Sequence, residues 1–119
     1  MPNVNDTLGK LLEMDGAMAA ALVDYESGMV LGSVGNGIDL DIASAGNTEV
    51  VRAKMKTMKM LGLDGAIEDI LITLDEQYHI IRLSKKTPGT FLYYVLDKDR
   101  SNLALARRKS AEVEAAVVI

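Results

Sequence analysis

The chain has 119 residues, about the length of one domain, and that is enough to bury roughly two thirds of the surface its unfolded form exposes. Seventeen acids against thirteen bases leave a net charge of -4, which disfavours a sequence-independent grip on nucleic acid through counterion release. The absence of cysteine excludes a disulfide framework, a thiolate metal site and a cysteine nucleophile, and one Phe, four Tyr and no Trp leave the core to aliphatic residues and seven Met.

Residues 1–119 therefore read as a single domain. The start, MPNVNDTLGKLLEMDG, has no basic segment leading into an apolar one, and no run approaches the ~20 apolar residues of a membrane span. A cytoplasmic location is expected, in keeping with a reducing compartment.

In chain order, Val4, Leu8, Leu11 and Leu12 recur at helical spacing and predict a short helix over residues 3–14, stopped by Asp15-Gly16. AMAAALVDY (17–25) is apolar on both alternating sets, so as a strand it would be covered on both faces. The turn residues Tyr25-Glu26-Ser27-Gly28 and the β-prone MVLGSV after them make a hairpin. Asp39 or Asp41 can cap a long helix over residues 40–61, ended by Gly62.

On that helix Ala53, Gly46, Val50, Ala43, Leu61, Met58, Val51 and Met55 spread over roughly 200° of the circumference, more than packing on one sheet requires. Two packing partners are implied. Three more strands follow, AIEDILITL (66–74), QYHIIRLS (77–84) and TFLYYVL (90–96), joined by Asp75-Glu76 and by KKTPG in an antiparallel meander. The last is apolar on both faces. A final helix over 102–117, capped by Asp99 or Ser101, carries Leu103, Ala106, Val113 and Val117 on one stripe.

Strands covered on both faces belong in the middle of a sheet, and hairpin strands sit beside their neighbours. The economical spatial order is therefore 2-1-5-4-3. The fold class is α+β, a two-layer to three-layer sandwich of a five-stranded antiparallel sheet with the long helix on one face and the terminal helices on the other. Strand three becomes an edge, and Ile70, Leu71, Ile72 and Leu74 do little to blunt it. With the surplus apolar flank of the long helix, that edge predicts an isologous homodimer seamed by Val50, Val51, Met55, Met58, Ile70, Leu71 and Ile72.

No constellation of residues points to catalysis. His79 alternates with Ile81 and Leu83, and no nucleophile or acid is marked beside it, so a structural histidine is the favoured reading. Asp97, Asp99, Arg100 and Lys98 lie where a strand hands over to a helix, a place for caps. Gly32-Ser33-Val34-Gly35-Asn36-Gly37 lacks a Walker lysine followed by Ser or Thr and is not a dinucleotide fingerprint. Arg107 and Arg108 are read as a polar helix side, with Arg108 pairing with Glu112 at i+4. Met55, Met58 and Met60 read as core or dimer contact before promiscuous surface. Arg52, Lys56 and Lys59 make a basic stripe that is either a solvated face or a contact for an anionic partner.

The ordered pattern resembles the Roadblock / dynein light chain seven family, including its bacterial MglB-like members. The resemblance runs over nearly the whole chain and rests on Asp15-Gly16 before the first strand, the Asp24 to Gly28 hairpin followed by Val30-Leu31, and Asn102-Leu103-Ala104 to Arg107 in the last helix. It implies a profilin-like roadblock fold. It also implies a homodimer or heterodimer built through strand three and the long helix, serving as a platform for Ras-like small GTPases, dynein or membrane-recruited complexes, with an MglA-like GTPase as the bacterial partner. No arginine finger is shared across the family that would transfer to Arg107 or Arg108.

The expectation is a non-enzymatic homodimeric regulator or scaffold for a Ras-like small GTPase, without a cofactor or metal, and with Arg52, Lys56 and Lys59 on the partner face. The alternatives are a small-molecule sensor module, for which the sequence offers few converging polar groups, and a purely structural adaptor subunit of a larger complex.

Overall fold

The computed structural model describes residues 3–118; Met1, Pro2 and Ile119, the ends of the expected domain, lie outside the described residues. The elements are α1 (Val4–Leu8), running into a 3-10 segment (Gly9–Glu13), then β1 (Ala17–Asp24), β2 (Met29–Gly35) and α2 (Leu40–Met60). After them come β3 (Asp69–Thr73), β4 (Gln77–Leu83), β5 (Thr90–Asp97) and α3 (Leu103–Ala116). The strands form one five-stranded sheet in the order β2-β1-β5-β4-β3, antiparallel at every pairing.

That order follows from which strands can tolerate cover on both faces. In β5 every residue from Thr90 to Leu96 is buried, and in β1 every residue from Ala19 to Val23. Neither has a polar side to give to water, so each costs least in the middle of the sheet. β2 and β3, with alternating exposed residues, take the edges.

Two apolar layers sandwich the sheet. On one face Ala20, Leu22, Leu92, Tyr94 and Leu96 pack with Leu8 and Leu11 and with Ala106 and Val113 of α3. The Tyr94 hydroxyl, buried here, donates a 2.6 Å hydrogen bond to the Leu11 carbonyl and so ties the 3-10 segment to the central strand. On the other face Ala21, Val23, Ile81, Phe91, Tyr93 and Val95 lie beneath Val51 and Met55 of α2. A fully buried aliphatic or aromatic side chain contributes about 1.5–3 kcal/mol, so these layers, more than helix propensity, hold the helices down.

Local chemistry explains the joints. The β1–β2 turn closes with Gly28 N–H donating to the Asp24 carbonyl (2.7 Å) and Glu26 N–H to Asp24 Oδ1 (2.9 Å), and Gly28 takes the positive φ of 80° that side chains resist. Of the two candidate caps for α2, Asp39 is the one that works, its Oδ1 accepting from Ile42 N–H at 3.0 Å. Gly32 lies under α1, where an added Cβ would stand 2.5 Å from Val4 Cγ1. Nearby, Ser33 N–H donates to Asn5 Oδ1 (2.9 Å), so α1 covers part of the outer edge of β2.

Four expectations need correction. The first helix is α-helical only over Val4–Leu8 and tightens into a 3-10 turn, because Leu11 must reach Tyr94. β3 is shorter than 66–74, since residues 66–68 fall in the α2–β3 loop and only Asp69–Thr73 pair with β4. The cap of α3 is neither Asp99 nor Ser101 but Asn102, whose Oδ1 accepts from Leu105 N–H at 3.1 Å. The upstream residues shape the turn instead, with Asp97 Oδ1 accepting from Asp99 N–H and Ser101 Oγ donating to the Asp97 carbonyl. Finally, Glu112 lies 4.0 Å from Lys109 rather than pairing with Arg108, while Arg107 reaches across to Asp69.

Candidate interaction surface

The long helix α2 packs over β1 and β2 on one face of the sheet, and β3 forms the far edge. In an antiparallel pair, residues opposite one another share a face. Ile70 faces Ile81 and Ile72 faces His79, so Ile70 and Ile72 stand on the α2 side and pack, half-buried, against its apolar layer. Leu71 faces Ile80 and points to the opposite side, 37% exposed. The three neighbours in sequence are thus split between two faces.

The α2 residues split as well. Ser44, Thr48 and Val51 recur at helical spacing and are the buried line of the helix. Val51 is 0% exposed, so its surface is already used within the chain and is removed from any seam between copies. Met55 is half-buried against the same layer, and Met58 is half-buried at the end of the helix. Val50 is turned outward at 39% exposure. Beyond it the last residue of α2 and the loop after it display Met60 (76%), Leu61 (65%) and Leu63; Leu61 belonged to the expected apolar arc, whereas Met60 and Leu63 did not. Isolated exposed apolar residues are ordinary, but these follow one another within four positions at the end of the helix.

The basic stripe is exposed. Arg52 stands 3.9 Å from Glu49, a solvent-exposed contact of little energetic weight, and neither Lys56 nor Lys59 makes an ion pair among the described residues. Charge on this face is therefore available to an anionic partner.

Beneath this surface lies a polar network. His79 Nε2 and Gln77 Oε1 are 2.8 Å apart, which makes Nε2 the donor and leaves Nδ1 to accept from the Tyr93 hydroxyl at 3.0 Å. The two rings meet edge to face, 5.5 Å between centroids. Burial pulls the His79 imidazole below its ordinary value of 6.5, and burial pushes the Tyr93 phenol up, opposed by the Asn47 side chain. A neutral imidazole held by two neutral partners is a structural device, in line with the sequence reading of His79.

On the opposite face, Asp69 at the start of β3 takes three contacts from Arg107: Nε to Oδ2 at 3.1 Å, Nη2 to Oδ1 at 3.0 Å and Nη2 to Oδ2 at 2.9 Å. Arg82, its cross-strand neighbour, approaches Oδ2 at 3.7 Å. Nothing local in sequence joins Asp69 to Arg107. Another long-range carboxylate is Glu114 of α3, whose Oε1 accepts from Ser84 Oγ (2.8 Å), Lys85 N–H (2.9 Å) and Lys86 N–H (3.3 Å), fixing the turn after β4.

The acidic residues at the β5–α3 joint, Asp97 and Asp99, border a cleft with Glu76, Gln77 and Met18. Among the described residues no group of His, Cys, Asp and Glu is arranged to hold a metal ion. No helix among them is long and apolar enough to cross a membrane.

A second cavity of about 440 Å³ opens at the far end of α2, between Met55, Met58 and Leu63 above and Leu83 and Tyr25 below. Its rim carries Lys59 and Lys85.

A five-stranded antiparallel sheet in the order 2-1-5-4-3, with one long helix on one face and short terminal helices on the other, defines an α+β roadblock fold. The particular form resembles MglB. The chain superposes on the Roadblock/LC7 domain from Streptomyces avermitilis with a TM-score of 0.84 at 16% identity, over 96% of this chain and 93% of that one. On Myxococcus xanthus MglB the values are 0.82 and 18%, over 94% and 89%. An MglB with a tetrameric arrangement matches at 0.82 and 18%, over 96% and 84%. No protein-family model matches the sequence, and no curated protein matches it either.

Proposed function

We propose that the chain is a non-enzymatic, homodimeric regulator or scaffold for a Ras-like small GTPase, working as a single roadblock-type domain in the cytoplasm. One observation carries the reading: β3 is an open edge strand carrying the apolar Ile70, Leu71 and Ile72, in a fold that resembles MglB. An edge strand with unpaired N–H and C=O groups and an apolar helix flank are both relieved by a second copy related by a two-fold axis.

In that dimer Val50, Leu61, Ile70 and Ile72 form the seam, Met55 and Met58 support it from below, and Leu71 approaches from the other side of the sheet. The solvent face of the helix pair then presents Arg52, Lys56 and Lys59 twice over. Two copies of a basic stripe suit an acidic patch on a globular partner and speed its encounter. Any change in GTPase turnover would then come from reshaping the partner's own hydrolytic machinery.

Sedimentation velocity at micromolar concentration tests the first half, and a monomer there ends the dimer reading. Affinity capture from the native cell extract, followed by turnover assays on any Ras-like GTPase recovered, tests the second. Recovery of no GTPase moves the balance to the sensor reading, which the cavity at the end of α2 favours.

A further inference from the structure

We propose that the groove under the C-terminal end of α2 is a binding site for an unbranched alkyl carboxylate. Its volume, about 440 Å³, lies in the range of roughly 300–1,000 Å³ that small-molecule sites occupy. One copy of the chain builds it whole, from the end of α2, the α2–β3 loop and the β4–β5 turn. It shares Met55 and Met58 with the proposed seam and Lys59 with the proposed partner face, but needs neither a second copy nor a GTPase to form.

The walls select the ligand class. Met55, Met58, Leu63, Ile67 and Leu83 are aliphatic or thioether side chains, with Tyr25 as the one aromatic ring of the lining. Such walls offer no pair of aromatic faces to clamp a planar base. They also bring in few interior donors or acceptors, so a sugar or nucleotide would lose its hydration without replacement. A saturated chain makes no such demand, and unbranched methionines conform to it.

The rim selects the head group. Lys59 and Lys85 border the opening and make no ion pair among the described residues, whereas the neighbouring Lys86 ammonium is engaged by the Ala115 carbonyl at 3.2 Å. Asp64 also lines the groove and the Glu26 carboxylate stands near its Gly89 wall, so Lys59 and Lys85 are the groups that would hold a negative head there. The backbone bearing Lys85 is itself held, since its N–H donates to the buried Glu114 carboxylate. One wall is thus fixed before ligand arrives.

Isothermal titration calorimetry of the full chain with octanoate, decanoate and dodecanoate, below their micellar concentrations, tests this. One site per chain is expected, with affinity rising about fourfold per added methylene until the groove is full. Decyltrimethylammonium, with the same chain and the opposite charge, should bind at least tenfold more weakly. The double charge reversal K59E/K85E should weaken decanoate about tenfold while leaving far-UV circular dichroism unchanged, and K59Q/K85Q serves if the reversal misfolds. Absence of saturable binding, equal affinity for the cationic amphiphile, or indifference to both lysine variants would each overturn the assignment. None of these outcomes touches the sedimentation or GTPase experiments.

Discussion

Arg107 of α3 grips Asp69 of β3 with one edge of its guanidinium, Nε to Oδ2 at 3.1 Å and Nη2 to Oδ1 at 3.0 Å, across 38 positions of sequence. This clamp ties the last helix to the edge strand, the part of the sheet with fewest other neighbours. Arg107→Ala should cost about 1 kcal/mol, modest because the guanidinium is half exposed. Asp69→Ala should cost more, about 2 kcal/mol, because it also strands Arg82, whose Nε is buried without a partner. Urea denaturation gives both values, and hydrogen exchange should show β3 opening first. Equal costs for the two variants would mean that Arg82 takes no part.

Glu114 organises a turn that it is far from in sequence. Truncation to Ala leaves Ser84 Oγ and the N–H groups of Lys85 and Lys86 without their acceptor, and should cost about 2–3 kcal/mol. Glu114→Gln keeps an acceptor of the same shape and should lose about half of that. Thermal melts of the pair measure the difference, and a harmless E114A would show that the turn holds itself.

Ser44 makes the opposite case. Its hydroxyl is fully buried under α2 with no hydrogen-bond partner among the described residues. Ser44→Ala should stabilise the chain by about 0.5–1 kcal/mol, through relief of the desolvated hydroxyl and better helix propensity. A loss of stability would reveal a partner, such as bound water, at that hydroxyl.

His79 gives stability a pH dependence whose sign is set by burial. Its folded value lies below the unfolded 6.5, so the unfolded chain takes up the proton first as pH falls. The contribution is complete above about pH 7.5, declines as pH drops through 6.5, and is lost once pH passes the lowered folded value. His79→Gln should flatten the stability profile in that window. An unchanged profile would place the acid sensitivity elsewhere.

Val50 and Val51 separate the dimer from the fold. Val51→Ala empties part of the core under α2 and should cost about 2 kcal/mol of monomer stability. Val50→Glu puts a charge on an outward position and should leave far-UV circular dichroism intact while weakening self-association tenfold or more, since an unpaired charge in an apolar seam is costly. Sedimentation equilibrium of V50E tests the proposed seam, and a dimer constant equal to the parent's would remove Val50 from it.

Much of the architecture was legible in one dimension. The doubly apolar runs at Ala19 to Val23 and Phe91 to Leu96 call for cover on both faces, and that requirement, with hairpin strands kept beside their neighbours, orders the five strands. Side-chain periodicity also marked α2 as a helix with more apolar surface than one sheet absorbs. It could not tell Val50 from Val51, because neighbours about 100° apart on a helix both belong to a 200° arc. Only the seating of α2 on the sheet decides which of them faces inward.

The sequence by itself determined the strand order, the long helix, the first hairpin and the absence of thiol chemistry. These follow from local pattern: alternation, helical spacing, capping acids and glycines at turns. Tertiary structure decided the partners of Arg107 and Glu114, the choice of Asn102 as cap, the split of Ile70 and Ile72 from Leu71, and the groove between Met58 and Leu83. Each of those depends on groups far apart in sequence whose separation is fixed only when the layers close, because a charge or a cavity finds its neighbours through space and not along the chain.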